Sequence, residues 1–300
     1  MAEQTYPPLV MPEGVLRETT TIWSNGIPLD ADVYRPATID PGAALPAVVL
    51  CHGWAGSKHT AERYAALFAS AGMIALTFTQ SSWFGSGSPL QLVGAAPERD
   101  DNNEALTRVR FLRDLVDPFA WTANLHAALD YIEGEPNVDT ARIGIWGTSY
   151  GGGVAVYTAA HDHRVKTLVV QVPAISLGQG PVAELARRHA IDAARGKADA
   201  IPQGIDRFPT PEGTPHLATM AHFDPLTQVE RLQMPTLIID AGREELFPTP
   251  DNGHRAAEIL RAAGTVVEYQ VIPDITHYGI YFDGYQPGSR AALDWFERYL

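Results

Sequence analysis

Residues 144–153 read GIWGTSYGGG, a serine held between glycines after the apolar run ARIGIW and before the helix-compatible run VAVYTAA. A serine hydroxyl is a poor nucleophile until a base takes its proton, and the base needs an acid to orient it. The sequence offers both after later apolar runs. His277 lies in DITHYGIY, between the last such run and the terminal helical segment. Three carboxylates compete for the acidic role in IIDAGREELFP: Asp240, at or inside the strand end, and Glu244 and Glu245, in the loop that follows Gly242. Glu244 is preferred, because Asp240 at the strand end is placed too deep or supports the turn. The expected chemistry is acyl transfer through a covalent intermediate on Ser149.

A turn that lifts a hydroxyl out of a sheet needs a strand before it and a helix after it, with small residues where the two approach. Gly147 and Gly151 stand two residues either side of Ser149. The amide of Tyr150 then falls at a helix N-terminus, where it can donate to an oxyanion. A chance G-x-S-x-G arises roughly once in ten chains of this length, so the flanking elements carry the argument rather than the pattern.

Those elements repeat along the chain. Residues 46–52, 73–79, 141–147, 165–172, 236–241 and 265–272 are near-continuous apolar runs, as for strands covered on both faces. Segments with helical spacing at 59–72, 118–134, 150–161, 251–264 and 290–300 alternate with them. The pattern predicts an α/β fold with a doubly wound, mostly parallel sheet. TTTIWS and LDADVYR, joined at Asn25-Gly26, predict an antiparallel hairpin at its edge. The alternation is expected to break once, over 174–229, where a polar helical stretch and a Pro/Gly-rich passage predict a helical cap inserted in a single domain of residues 1–300. ERDDNNE, residues 98–104, reads as a solvated loop.

With these residues in place the chain resembles the α/β-hydrolase superfamily of serine hydrolases over nearly its whole length. The order Ser149, Glu244, His277 matches that family's nucleophile, acid and histidine. The resemblance implies that CHGW, residues 51–54, is the oxyanion loop, with the amide of Trp54, and with it Gly53, as the second donor beside Tyr150. GREELFP is similar to the family's G-x-x-D-x-x-x-P acid loop, with the glycine one residue closer and glutamate for aspartate. HGW, GTSYGG and THYGIY together look most like esterases and dienelactone-hydrolase-like enzymes with a small cap; a dienelactone hydrolase proper would carry cysteine at the nucleophile, so Ser149 favours carboxylic esters. GTSYGG also resembles cocaine-esterase and Xaa-Pro-peptidase relatives, which typically carry large additional domains. Gln80 and Trp83 stand where relatives often have Asp and Arg.

The resemblance implies no cofactor, and the residues point to none: the sequence has no phosphate-binding glycine loop, and His161 and His163 lack a third clustered ligand for a metal. Trp54, Trp83, Phe84, Tyr150, Phe247 and Tyr278 fall in loops at the expected active end and predict an apolar mouth for a small-molecule ester. A net charge of −13 with no basic cluster argues against nucleic acid or an anionic membrane as partner. The single cysteine, Cys51, and the lack of a signal-like start or a long apolar run predict a soluble, cytoplasmic protein. The oligomeric state is left open, a homodimer included. Acyltransferase, thioesterase and amidase or peptidase chemistry would use the same residues, and a non-catalytic binding protein on this fold would not need them.

Overall fold

The computed structural model describes residues 6–199, 201 and 213–300. The chain begins with a hairpin, β1 (Val15–Ser24) and β2 (Ile27–Pro36), which turns at Asn25-Gly26, both with positive φ, as a two-residue hairpin loop requires. There follow β3 (Leu45–Cys51), α1 (Glu62–Ser70), β4 (Ile74–Phe78), the short strands β5 (Leu90–Leu92), β6 (Val109–Phe111) and β7 (Leu115–Val116), and α2 (Pro118–Glu133). Next come β8 (Val138–Thr148), α3 (Tyr150–Ala159), β9 (Val165–Gln171), α4 (Gly180–Ala194), β10 (Thr214–Pro215) and α5 (Leu217–Met220). The chain closes with β11 (Thr236–Ala241), α6 (Gly253–Ala263), β12 (Val267–Ile272) and α7 (Tyr285–Tyr299).

Eight strands form one sheet in the order β1-β2-β4-β3-β8-β9-β11-β12. β1, β2 and β4 pair antiparallel, and every pairing from β4 through β3 to β12 is parallel. Side chains alternate across each strand, so one apolar run feeds two cores. Val49, Ile145, Val170 and Ile238 pack with Trp121 and Leu125 of α2, Val154 of α3 and Leu260 of α6. Val48, Trp146, Val169 and Ile239 point the other way and pack with Phe68 of α1 and Phe296 of α7. Aligned parallel strands bring the C-terminal ends of β3, β8, β11 and β12 to one end of the sheet, and Trp54, Ser149, Tyr150, Glu244 and His277 follow those ends.

Three expectations change. β12 is an edge strand and is half-buried along most of its length, with Val271 48% exposed, so its apolar run does not report cover on both faces. The alternation breaks twice rather than once, because residues 79–117 also leave the α/β rhythm. There β5 and β6 pair as a hairpin that keeps Leu90, Leu92, Val109 and Phe111 exposed. Without a buried face it has no periodic signature to read. Lastly, α7 starts five residues before the expected 290.

Residues 174–229, expected as a cap, contain α4, β10, α5 and a tight 3-10 turn at Pro225–Arg231; residues 200 and 202–212 of this stretch lie outside the described residues. α4 buries only Ala186, as its polar sequence predicts. β10 pairs in parallel with β7, joining this stretch to the first excursion. The acidic run 98–104 is exposed in the connection between β5 and β6, where the Asp100 carboxylate accepts the amides of Asn102 and Glu104. Among the described residues no helix is long and apolar enough to cross a membrane.

Candidate active site

β8 hands over to α3 at Ser149, whose φ of 54° and ψ of −127° lie outside the regions L-residues ordinarily occupy. Such a backbone costs of order 1–3 kcal/mol and persists only when its surroundings enforce it. Here the Ser149 amide donates to Gln171 O at 3.0 Å, and its carbonyl accepts from Gly152 N at 2.9 Å and Ala174 N at 3.0 Å. The glycines matter because of their neighbours. A Cβ on Gly151 would lie 2.1 Å from His52 O, and one on Gly147 would lie 2.7 Å from Ala155 Cβ. The turn is thereby pressed against the loop that follows β3.

That loop is fixed from several directions. His52 is fully buried, and its Nδ1 lies 2.7 Å from Gly53 O while its Nε2 lies 3.0 Å from the amide of Gln80. A carbonyl accepts and an amide donates, so the ring is neutral with its proton on Nδ1. Burial, opposed by the bond to Gly53, lowers its pKa to about 4 and keeps it so at neutral pH. Gly53 touches the Ser149 turn, since a Cβ there would meet Ser149 Cβ at 2.9 Å. Beyond Trp54, Lys58 is buried and anchored to β2 through Asp30 at 2.7 Å and Asp32 at 2.9 Å. Gln80, read as a replaced charge, lies behind this loop: its Oε1 accepts from Asn124, its Nε2 donates to Cys51 Sγ, and it is fully buried.

His277 follows β12, and its ring bridges two of the expected partners. Nε2 is 2.9 Å from Ser149 Oγ, and Nδ1 is 2.9 Å from each carboxylate oxygen of Glu244. An ionised carboxylate only accepts, so Nδ1 carries the proton and Nε2 is free to accept the serine's. The imidazole and carboxylate side chains are 1% and 2% exposed. Burial pushes the Glu244 pKa up, but the bond and charge of His277 and the amides of Leu246 and Phe247 outweigh it and hold the carboxyl below its ordinary value. Glu244 is therefore ionised, locally satisfied and aimed.

The other two carboxylates have different surroundings. Glu245 accepts the His277 backbone amide at 2.8 Å, so it holds the loop rather than the ring. Arg243 ties the same two loops together, its amide donating to Ile275 O at 2.9 Å and its guanidinium to Asp274 O. Asp240 is 2% exposed at the end of β11, with Oδ2 lacking a hydrogen-bond partner. Burial first, and then the Glu244 charge, push its pKa up to about 7 against a hydrogen bond with Tyr269. A carboxyl whose folded pKa exceeds its unfolded value, near 3.9, supplies stability below pH 4 that is lost as pH rises through 7. Asp240→Asn is expected to unfold at the wild-type denaturant midpoint at pH 4 and at a higher one at pH 8, by about 4 kcal/mol at most. Equal midpoints at both pH values would show that Asp240 is not a buried neutral acid.

A cavity of about 60 Å³ opens beside the hydroxyl, lined by Ser149, Gly53, Trp54, Tyr150, Phe247 and Tyr278, among others. Tyr150, the first residue of α3, and Trp54 flank Ser149 with their rings edge to face, centroids 5.4 Å apart. The aromatic mouth is in part as expected and in part not. Trp83 is buried against Trp121 and does not line it, and Phe84 is 83% exposed. Tyr6, Leu246 and Tyr281 line it instead. Tyr281 has a polar role as well, since its hydroxyl lies 2.7 Å from Thr148 Oγ1, which also accepts from Gln171, itself bonded to Tyr64. His161 is satisfied away from this site, stacked on Tyr157 with its Nδ1 2.8 Å from that residue's carbonyl. No group of three metal-ligating side chains occurs among the described residues.

A model of the dienelactone hydrolase family matches residues 29–201, and a model of the prolyl oligopeptidase family matches residues 122–300. The chain is an α/β hydrolase of the dienelactone hydrolase family. An uncharacterized 31.7 kDa protein from the traX-finO intergenic region of Escherichia coli is 25% identical over 85% of this chain and 91% of its own length. The quorum-quenching protein AidA of Acinetobacter baumannii is 30% identical, the match covering 50% of this chain and 41% of that one. Among solved structures, a hypothetical protein of Pseudomonas aeruginosa superposes with a TM-score of 0.67 at 20% identity, covering 100% of this chain and 99% of its own. The α/β-hydrolase fold and a hydrolase activity are what this membership carries; the bond cleaved depends on the site.

Proposed function

We propose that the protein is a serine esterase that cleaves small to medium carboxylic esters through an acyl-enzyme on Ser149. The observation carrying this reading is the unbroken chain of 2.9 Å contacts from Ser149 Oγ through His277 to Glu244, at the mouth of a largely apolar cavity. In the first half-reaction Ser149 Oγ attacks the ester carbonyl as its proton passes to His277 Nε2. Glu244 keeps the imidazole in the Nδ1–H tautomer and stabilises its cation. The amides of Tyr150 and Trp54 receive the oxyanion, a stabilisation typically worth about 3 kcal/mol per donor. His277 then protonates the leaving alcohol, and water, activated by the same imidazole, releases the acid. α4, β10 and α5, the described elements of the stretch 174–229, are taken as the cap. None of these steps calls on a metal or cofactor.

The test is turnover of p-nitrophenyl acetate, butyrate and octanoate, combined with intact-mass analysis of protein treated with a serine-directed phosphonate. The expected result is turnover together with one phosphonyl adduct that maps to Ser149. An adduct elsewhere, or none, would remove Ser149 from the mechanism. A Ser149 adduct without ester turnover would redirect the same residues to another acyl bond.

A further inference from the structure

We infer that the N-terminal arm closes one wall of the Ser149 cavity through Tyr6 and so limits the size of the substrate group that fills it; this rests on the esterase reading above. Residues 6–12, YPPLVMP, form neither helix nor strand, and three prolines in seven residues fix φ and remove amides, which stiffens an extended segment. Leu9 and Met11 pack against the core on the α1 and α7 face of the sheet, as Tyr6 does. Pro8, Leu9, Val10 and Pro12 lie along a groove with Arg63 and Leu67 of α1 and Tyr285 of α7. That groove is itself braced, for the Arg63 guanidinium sits 3.4 Å over the Tyr285 ring and donates to Tyr281 O, while Tyr285 Oη donates to Arg63 O. The arm thus runs over a rigid platform and delivers its first described residue to the cavity.

Tyr6 is held there on two sides. Its ring meets Tyr281 edge to face at 5.2 Å and lies near-parallel to Phe282 at 6.4 Å. Its phenol interacts with the buried Thr60 side chain, which caps back to the amide of Ser57 in the loop after Trp54. Burial raises its pKa, so it stays a neutral ring at working pH. The remaining space is about 60 Å³, a size that suits a short chain better than a long one. The hydrogen bonds that join Ser149, His277 and Glu244 do not involve Tyr6. Truncating it therefore enlarges the cavity and leaves the hydroxyl, imidazole and carboxylate in place.

The experiment uses two probe series on the full chain. p-Nitrophenyl alkylphosphonates from ethyl to octyl report access to Ser149 alone: Oγ bonds to phosphorus, p-nitrophenolate leaves with the P–O bond electrons, and the serine proton passes to His277. p-Nitrophenyl acyl esters and alkyl acetates of the same lengths report turnover with the acyl or the alcohol side varied. In the wild type, phosphonylation is expected to slow steeply from ethyl to octyl. Tyr6→Ala is expected to raise the octyl-to-ethyl rate ratio by about tenfold or more, with the ester series that shifts alongside identifying which side fills the cavity. Removal of residues 1–9 behind a new initiator methionine is expected to reproduce the shift, and Tyr6→Phe to restore the wild-type ratio. An unchanged ratio in Tyr6→Ala and in the truncated chain, with Ser149 still labelled, would overturn the inference and leave the esterase reading standing. A shifted phosphonate ratio without turnover of any ester would do the reverse.

Discussion

Ser149→Ala is expected to lower kcat on p-nitrophenyl butyrate by about a million-fold, to the level the remaining site provides over water. The alanine removes the oxygen that lies 2.9 Å from His277 Nε2, and leaves the imidazole buried and still bonded to Glu244. Because Ser149 has positive φ, the substitution does not relieve the turn; stability should change little while turnover disappears. Burst kinetics with the wild type, and their absence in the variant, would locate the loss at acylation. Residual turnover above about one part in a thousand would mean that a second nucleophile, or water directly activated by His277, operates in this cavity.

Glu244→Ala is expected to cost about ten-thousand-fold in kcat, with KM nearly constant, while Asp240→Asn changes kcat only a few-fold. The contrast follows from position rather than from charge. Glu244 receives the Nδ1 proton on both oxygens and two loop amides besides, so its removal frees the imidazole to adopt the tautomer that cannot accept from Ser149. Glu244→Gln should be nearly as damaging, because an amide can donate to Nδ1 and stabilise that same wrong tautomer. Asp240 lies within the end of β11, its pKa is pushed up to about 7 by burial, and it has Tyr269 rather than His277 beside it. Reversal of the two effects in a side-by-side kcat measurement would transfer the acid role to Asp240.

Much of this was readable from residue order, for stated reasons. A buried parallel strand needs a continuous apolar run and a helix to return, so β3, β9 and β11 could be placed to within one residue at each end, whereas β8 begins three residues before its apolar run. The turn at Ser149 needs glycine where Gly151 meets the His52 carbonyl, and that need is visible as GTSYGG. Other features have no one-dimensional trace. The choice between Glu244 and Asp240 depends on which way the chain leaves β11, where Gly242 N bonds to Ile272 O and turns the loop toward His277. Tyr6 comes to the site from nine residues before the first strand, and no spacing rule links it to Ser149. The hairpin of β5 and β6 leaves no readable signal because its apolar side chains face outward, which breaks the correspondence between hydrophobicity and burial. Loop position alone points Trp83 and Phe84 to the mouth. The backbone turns Trp83 inward onto Trp121 and leaves Phe84 outside.

The three side chains of the proposed mechanism hang from three different strands: Ser149 after β8, Glu244 after β11 and His277 after β12, with the Gly53 loop on β3 completing the set. In the sheet these strands run β3-β8-β9-β11-β12, so every one of the four parallel seams between them must be in register before the imidazole can reach both its neighbours. No shorter stretch of the chain carries a partial version of the chemistry. Hydrolytic activity recovered during refolding therefore counts finished molecules, and it should lag behind signals that report helix formation or collapse. Two inactive halves cut between β9 and β11 would regain activity only by rebuilding the seam at Leu168 and Thr236, which makes the reaction itself a sensor for the assembly of this sheet.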